Sequence, residues 1–385
     1  MHCEPPLLAV CGTRPEVVKM APVIRALRAR GQAVLLVMTG QHPDLAPQML
    51  RELGLSADID LGAHHAGAPP AQMMASILMR LAPVFTAWQP RLALVQGDTV
   101  SALAGALAAA YARVPVAHVE AGLRTHDLSE PFPEEMHRAM IVPAAALHFA
   151  PTETAAQALM REGVAAARIH ITGNSGIDAL RATAERLDAD PDLSEELSIR
   201  HPYVVRPRYP LLLATIHRRE NIGRRLGAIA AALARLAAFC EAEIVLPLHP
   251  NPAVQAVLRD KLDGLDAVHL IPPVNHMTMV WMMRRARLLV TDSGGLQEEA
   301  PGLGLRTLVL RQATERTEAL AAGASELVEL QADSIVSAVR RTLLRGPMQP
   351  VFPFGDGHAG ERIADVLETW LADASAVGRM AEVGG

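Results

Sequence analysis

Carboxylates at the ends of apolar segments are the first sign of chemistry in this chain. The apolar run 92–95 stops at Gln96-Gly97-Asp98, and the run 114–119 stops at Glu120. A carboxylate in such a place is costly unless it is paired or solvated in a cleft. A third acidic point, Glu134-Glu135, follows Pro131-Phe132-Pro133, a stiff loop able to hold an acid over a pocket. Glu135 reads better as an acid stabilising the start of a helix. Positioned carboxylates of this kind suit the removal and return of a proton.

Anion-binding features are spread differently. Gly12-Thr13-Arg14-Pro15-Glu16 follows the first apolar run and opens a helix, with Pro15 suited to the first turn. Arg14 then lies beside helix N–H groups expected to be open, a field that suits an anion, although a plain turn with a solvated Arg explains the segment about as well. Later, Asp292-Ser293-Gly294-Gly295 precedes Gln297-Glu298-Glu299. Ser293 is an expected N-cap, Gly294 and Gly295 leave backbone N–H groups open to phosphate, and Glu298 or Glu299 could hold a ribose diol. An ordinary capping box also wants an acid here, but the paired glycines favour phosphate. His217-Arg218-Arg219-Glu220-Asn221 and His249-Pro250-Asn251-Pro252 end two further apolar runs. The first reads as functional; the second is nearly matched by a proline-punctuated loop. No Walker A loop occurs, no GxGxxG lies between a strand and a helix, and Gly302-Leu303-Gly304 precedes a strand, misplaced for a dinucleotide.

The elements that must position these residues follow from the pattern around them. Short apolar runs at 7–11, 33–38, 92–95, 114–119, 169–171, 211–216, 244–248 and 288–290 each end in polar residues. Helical patterns at 17–30, 101–113, 224–241 and 297–302 lie between them. Strands alternating with helices imply parallel sheets covered on both faces. Ligands then bind at the carboxyl ends of the strands, where the polar clusters fall. The chain of 385 residues is half hydrophobic and only 3% aromatic, so an aliphatic core large enough for two domains is available. The expected class is α/β, two doubly wound Rossmann-like domains with a central cleft. The boundaries read as an N-terminal domain 1–180, a connector 181–209, a C-terminal domain 210–357, a helix 358–372 and a frayed tail 373–385. The net charge of −5 argues against general nucleic-acid binding. Cys3, Cys11 and Cys240 are odd in number and far apart, which suits a reducing cytoplasm. No targeting segment is visible, and the most apolar stretch, 102–112, is too short to span a bilayer. A carboxylate-rich half and an anion-binding half suit a nucleotide sugar.

These residues resemble the non-hydrolysing UDP-N-acetylglucosamine 2-epimerases, collinearly from about Leu7 to about Val366. The carriers are GTRPEVVKMAP (12–22), TGQH (39–42), GDT (97–99), HVEAGLRT (118–125), PFPEE with Arg138, ITGN with IDAL, HRREN (217–221), PLHPNP, TDSGGLQEEAP (291–301), TER (314–316) and FGDG (354–357). The resemblance implies a GT-B-like fold whose last helix returns to the first domain, and interconversion of UDP-GlcNAc and UDP-ManNAc without NAD or another cofactor. Carried over by motif, the acid–base set is Asp98, Glu120, Glu134 and His217. The substrate-binding set is Arg14, Lys19, Arg138, His249, Ser293, Gly294, Gly295, Glu299 and Arg316, and no metal is expected. A cytoplasmic homodimer acting on a UDP-sugar, away from nucleic acid and membrane, is the expected form. The intact PEVVK segment favours simple epimerisation over hydrolysis.

Departures from the family pattern are Gln96 for His, His137 for Asn, Thr317 for Pro, Met279 where an aromatic often borders the uracil, and Phe352 and Phe354 for Asn and Tyr. None removes a proposed acid or base. Because the proton on sugar carbon 2 is not beside a carbonyl, loss of UDP is the expected way to acidify it, with Asp98 and Glu134 serving opposite faces and Glu120 orienting. A 2-epimerase of a modified UDP-sugar of the diacetamido uronate type, a GT-B glycosyltransferase and a nucleotide-sugar sensor are the other readings. Family members can also bind a second UDP-GlcNAc as activator, through the TGQH segment and a loop Arg. Gln41 and His42 match, but Pro43 and Asp44 depart, and the loop 62–70, with His64 and His65, has no Arg. Weak or absent activation is expected.

Overall fold

Every apolar run named above becomes a strand of one of two parallel sheets. The computed structural model describes residues 4–43, 45–63, 68–216, 221, 223–249 and 251–383. The chain divides into unit 1, Met1–Ala179 with Phe354–Gly385, and unit 2, Leu180–Pro353.

Unit 1 begins β1 (Leu7–Cys11), α1 (Arg14–Ala29), β2 (Val34–Met38), α2 (Leu45–Glu52), β3 (Ile59–Asp60), α3 (Pro70–Trp88) and β4 (Leu92–Gln96). It continues through α4 (Val100–Tyr111), β5 (Val116–Val119), α5 (Glu134–Ile141), β6 (Leu147–Ala150), α6 (Glu153–Arg161), β7 (Ile169–Ile171) and α7 (Ser175–Ala189), which runs on into unit 2. The strand order is β3-β2-β1-β4-β5-β6-β7, all pairings parallel, so the order reverses between β1 and β4. Side chains alternate across the sheet. Leu7, Ala9 and Cys11 of β1 enter the core layer under α1 and α2, while Leu8 and Val10 enter the layer under α3 and α4. Gly105 lets α4 approach the sheet closely: a Cβ added there would lie 2.9 Å from Val95 Cγ1.

Unit 2 contains α8 (Pro191–Arg200), α9 (Pro202–Val205), β8 (Leu211–Thr215), α10 (Arg224–Ala238), β9 (Glu243–Pro247), α11 (Pro252–Leu262), β10 (Val268–Ile271) and α12 (His276–Met283). It ends with β11 (Leu288–Thr291), α13 (Gly294–Gly302), β12 (Thr307–Val309), α14 (Thr317–Ala321), β13 (Ser325–Leu327) and α15 (Ala332–Leu343). Its sheet, β10-β9-β8-β11-β12-β13, is parallel and reverses order between β8 and β11. A doubly wound sheet opens a crevice at such a reversal, so each unit gains its own ligand-binding edge.

The chain then returns to unit 1 as α16 (Ala359–Val383). Ile363, Ala364, Leu367 and Leu371 complete the layer that holds α1. Asp178 caps the new helix, accepting from the amides of Ala359 (3.1 Å) and Gly360 (2.7 Å).

Three boundaries differ from the sequence reading. The expected connector 181–209 is folded: Leu187, Leu197 and Val204 are buried in the core of unit 2. Its prolines open helices, Pro191 at α8 and Pro202 at α9, where a missing N–H costs nothing. Residues 354–357, assigned to the second domain, fold in unit 1. The helix expected to end at 372 runs through most of the expected tail to Val383. Among the described residues no helix is long and apolar enough to cross a membrane.

Candidate active site

In unit 1 the turn after β1 is closed on itself. Thr13 caps α1, its Oγ1 lying 3.5 Å from the amide of Glu16, and Glu16 Oε2 accepts from the amides of Thr13 (2.7 Å) and Gly12 (3.0 Å). The amides of Gly12, Thr13 and Glu16, in a turn expected to be open to an anion, are therefore already taken, and Arg14 lies partly buried at the first helical position. Oε1 of Glu16 accepts from Thr99 Oγ1 at 2.7 Å, which ties this turn to the head of α4. Burial pushes the Glu16 carboxyl up to about 7, against the hydrogen bonds from Thr99, Thr13 and Gly12 that pull it down.

Asp98 and Glu120 end adjacent strands, β4 and β5, and each meets a cation. Arg138 of α5 grips Asp98 through Nε (2.8 Å) and Nη2 (2.6 Å). The backbone carbonyl of Asp98 lies 2.8 Å from His137 Nδ1. Arg138 is steadied in turn by Glu135 at 3.1 Å, and Glu135 accepts from the amides of Thr125 and His126 at 3.0 Å each. Glu135 is thus an organiser of its own loop and helix. Glu134, the first residue of α5, is half-buried.

Glu120 is buried with φ +64°, a left-handed conformation that strains a residue with a Cβ. Among the described residues, Lys19 of α1, Gln96 at the end of β4 and Asn174, the last at 3.1 Å, hold it there. Lys19, expected among the nucleotide-binding residues, is thus placed on Glu120. His118 lies beneath this edge, its Nε2 2.7 Å from the carbonyl of Gly97. Burial lowers its pKa to about 4, so it is neutral and structural.

Gln41 and His42 flank the same turns. Gln41 Oε1 accepts from Ser101 Oγ (2.7 Å) and the Ser101 amide (3.2 Å), and the His42 amide donates to the Gly12 carbonyl at 2.8 Å. A Cβ at Gly12 would stand 1.9 Å from Ser101 Oγ and 2.3 Å from Thr39 Oγ1, so only glycine admits this meeting of three segments.

In unit 2, β11 delivers Thr291-Asp292-Ser293 to the head of α13. Asp292 is buried and accepts from Asn221 Nδ2 at 2.9 Å. Ser293 caps the helix through the Leu296 amide at 3.5 Å, as expected from the sequence. Among the described residues none accepts from the amides of Gly294 or Gly295, and a Cβ at Gly295 would meet open space. Such a helix start favours a bound anion.

Arg316 arrives at the same helix start, its guanidinium carbon 3.0 Å from where a Gly294 Cβ would be. Glu298 receives its Nε and Nη2, both at 2.8 Å, and Glu315 receives Nη1. Arg311 closes the set on Glu315 at 2.8 Å, both side chains wholly buried. Two cations and two anions offset one another, so Arg316 is held in place more than it is offered as bare charge. The residue pattern left Glu298 and Glu299 both open as ribose candidates, and the family resemblance implied Glu299; Arg316 engages Glu298, and Glu299 keeps a buried Oε2 with no hydrogen-bond partner among the described residues. His249 follows β9, its Nδ1 accepting from the Asn251 amide at 3.2 Å. His217, Arg218, Arg219, Glu220 and Pro250 lie outside the described residues, as do Asp44, His64 and His65 of the expected effector region.

Sequence reasoning missed Gln96, Asn174 and Thr99 as partners of the acids, and Arg311 and Glu315 behind Arg316. Only Glu16 carried a local signal, the Thr-x-x-Glu spacing of a capping box.

A family model described as UDP-N-acetylglucosamine 2-epimerase matches residues 25–368. A protein of Escherichia coli K12 named UDP-N-acetylglucosamine 2-epimerase is 41% identical over 369 residues, 94% of this chain and 98% of its own. A crystal structure of UDP-GlcNAc 2-epimerase from Neisseria meningitidis bound to UDP-GlcNAc superposes with a TM-score of 0.90 at 35% identity, covering 94% of this chain and 99% of that one. The Methanocaldococcus jannaschii enzyme in complex with UDP-GlcNAc and UDP gives 0.83 at 31%, covering 94% and 98%.

Proposed function

Because this chain belongs to the UDP-N-acetylglucosamine 2-epimerase family, we propose that it interconverts UDP-GlcNAc and UDP-ManNAc by eliminating UDP and adding it back. The observation that carries the chemistry is the row of acids at the strand ends of unit 1, Asp98 and Glu120 each held by its own cation, with Glu134 at the head of α5. The carbon 2 proton is not beside a carbonyl. A carboxylate takes it as the C1–O bond breaks, the C–H electron pair forms the C1=C2 double bond, and the C–O pair leaves with UDP. A second, protonated carboxylate then returns a proton to the other face of carbon 2 while a phosphate oxygen re-forms the bond to carbon 1. Glu120, already accepting from Lys19, Gln96 and Asn174, is the acid least suited to take a proton and orients the sugar. Asp98 and Glu134 serve the two faces. Stabilisation of the departing diphosphate falls to the open amides of α13 and, by family resemblance, to Arg14 and His217.

The reading extends to a cytoplasmic homodimer feeding cell-surface polysaccharide synthesis. Free Cys11 and Cys240 suit that compartment, and Met79 and Tyr111, 77% and 83% exposed on α3 and α4, give unit 1 apolar surface for a second copy. Light scattering at twice the chain mass is the expected result for the assembly.

The deciding experiment is proton NMR of the purified protein with UDP-GlcNAc in heavy water, with no acceptor or cofactor. A manno anomeric signal should grow, with deuterium at carbon 2 of the product and slow release of UDP and the 2-acetamidoglucal. A manno product that kept its original proton would overturn the elimination route. No manno signal at all would overturn the activity.

A further inference from the structure

Two neighbouring side chains in unit 2 each carry a buried polar atom without a hydrogen-bond partner among the described residues. Oε2 of Glu299, on a residue only 8% exposed, has no partner among the described residues. Nε2 of His276, the first residue of α12, has none either, and it lies 3.6 Å from Oε1 of the same Glu299. The other ring nitrogen, Nδ1, is 3.3 Å from Oγ1 of Thr183 on α7. The Thr183 hydroxyl can donate to Nδ1, and in that tautomer the ring proton is on Nε2, beside the carboxylate.

An unpaired buried donor and an unpaired buried acceptor each destabilise the fold, which a protein tolerates where a ligand completes them. A donor beside an acceptor complements a pair of neighbouring hydroxyls, because each hydroxyl both donates and accepts. Glu299 also stands five residues after Gly294 on α13, about 7.5 Å along the helix at 1.5 Å per residue. A ligand whose phosphates meet the first amides of α13 therefore brings its sugar, not its base, to this pair.

We propose that His276 is a substrate-binding residue which, with Glu299, recognises the cis-diol of the ribose in the uridine nucleotide, and that Thr183 positions its ring. This rests on the reading above, that a uridine diphosphate group binds at α13. Nothing in the sequence singled out His276, which lies in a methionine-rich helix without a polar cluster.

The test is calorimetric binding of UDP and of 2′,3′-dideoxy-UDP to the full chain and its variants. Wild-type protein should prefer UDP by roughly a hundredfold, the scale of losing two buried hydrogen bonds. His276→Phe should weaken UDP by roughly tenfold and leave the dideoxy ligand nearly unchanged, so that the preference shrinks. His276→Gln, which keeps an N–H donor at similar reach, should restore most of it. Thr183→Val, in which the ring stays but loses its support, should fall between. Equal weakening of both ligands by His276→Phe would reduce His276 to a packing residue, and UDP binding without discrimination in the wild type would overturn the inference even if no variant folds. Wild-type protein that bound neither ligand would count against the parent reading instead.

Discussion

Glu16 shows at the scale of one residue how burial and function meet. Its carboxyl is held at about 7 in the folded chain against an ordinary 4.5, chiefly by burial. The folded state therefore binds more protons than the unfolded one between those values. The stability contributed by Glu16 is fully present below about pH 4.5 and is lost as pH rises through about 7. Glu16→Gln can turn its amide to accept from Gly12 and Thr13 and donate to Thr99, but it cannot titrate. Urea unfolding at pH 5, 6, 7 and 8 should show a shallower fall in stability for the variant; parallel curves would disprove the assignment. For the acids, Asp98→Asn and Glu134→Gln should each lower turnover by roughly two to four decades, with UDP affinity little changed. Near-normal turnover in both would remove them from the mechanism. The types and places of these acids were legible because strand ends are marked by polar residues after apolar runs. Their partners were not: Asn174 is 54 positions from Glu120 and Arg138 is 40 from Asp98, separations over which local pattern carries no information.

At the scale of elements, the turns after β1, β2 and β4 act as one unit because Gly12, Thr39, Gln41 and Ser101 interlock. Gly12→Ala must displace Ser101 or Thr39, at about 1–3 kcal/mol for overpacking. The displaced helix start carries Asp98, so turnover should fall by more than stability does. Comparing melting temperature with initial rate tests this, and an unchanged rate would show the turns to be independent. The same interlock occupies the Gln41 side chain with Ser101, in keeping with the weak effector response expected from the sequence. A diphosphate effector that lacks a charge-assisted contact loses on the order of 1.5–3 kcal/mol. Initial rates from pure UDP-ManNAc should therefore show no lag, and a pronounced lag abolished by a trace of UDP-GlcNAc would contradict this. Strands with a full apolar run and a polar stop were readable. β12 and β13, three residues each, are too short to show a period, and Leu147–Ala150 follows directly on alanines without a break. The prolines of 181–209 looked like linker punctuation, but Pro191 and Pro202 start helices whose leucines and valines are buried.

For the whole molecule, the deciding feature is that unit 1 is built from two separated stretches of chain, with unit 2 lying between them in sequence. Ending the chain at Gly357 removes Ile363, Leu367 and Leu371 from the core of unit 1. Burial of such side chains is worth about 1.5–3 kcal/mol each, and the loss of three approaches the 5–15 kcal/mol that holds a typical domain together. The truncated protein should therefore lose the cooperative urea transition of unit 1 and bind ANS, while an unchanged midpoint would show α16 to be dispensable. The alternation of strands and helices made two parallel sheets legible, and the family resemblance supplied the return of the last helix. The exact crossing points were hidden, because Asp178 and Ala359 meet 181 positions apart. That arrangement also sets a timetable during synthesis. The first 179 residues leave the ribosome with the face of α1 that receives α16 uncovered, and unit 2 is made in full before α16 follows. At about 5–20 residues per second this interval lasts roughly ten to forty seconds. Throughout it the nascent chain presents a strip of aliphatic surface to the translation machinery, a predictable point of chaperone engagement that ends only with the last helix.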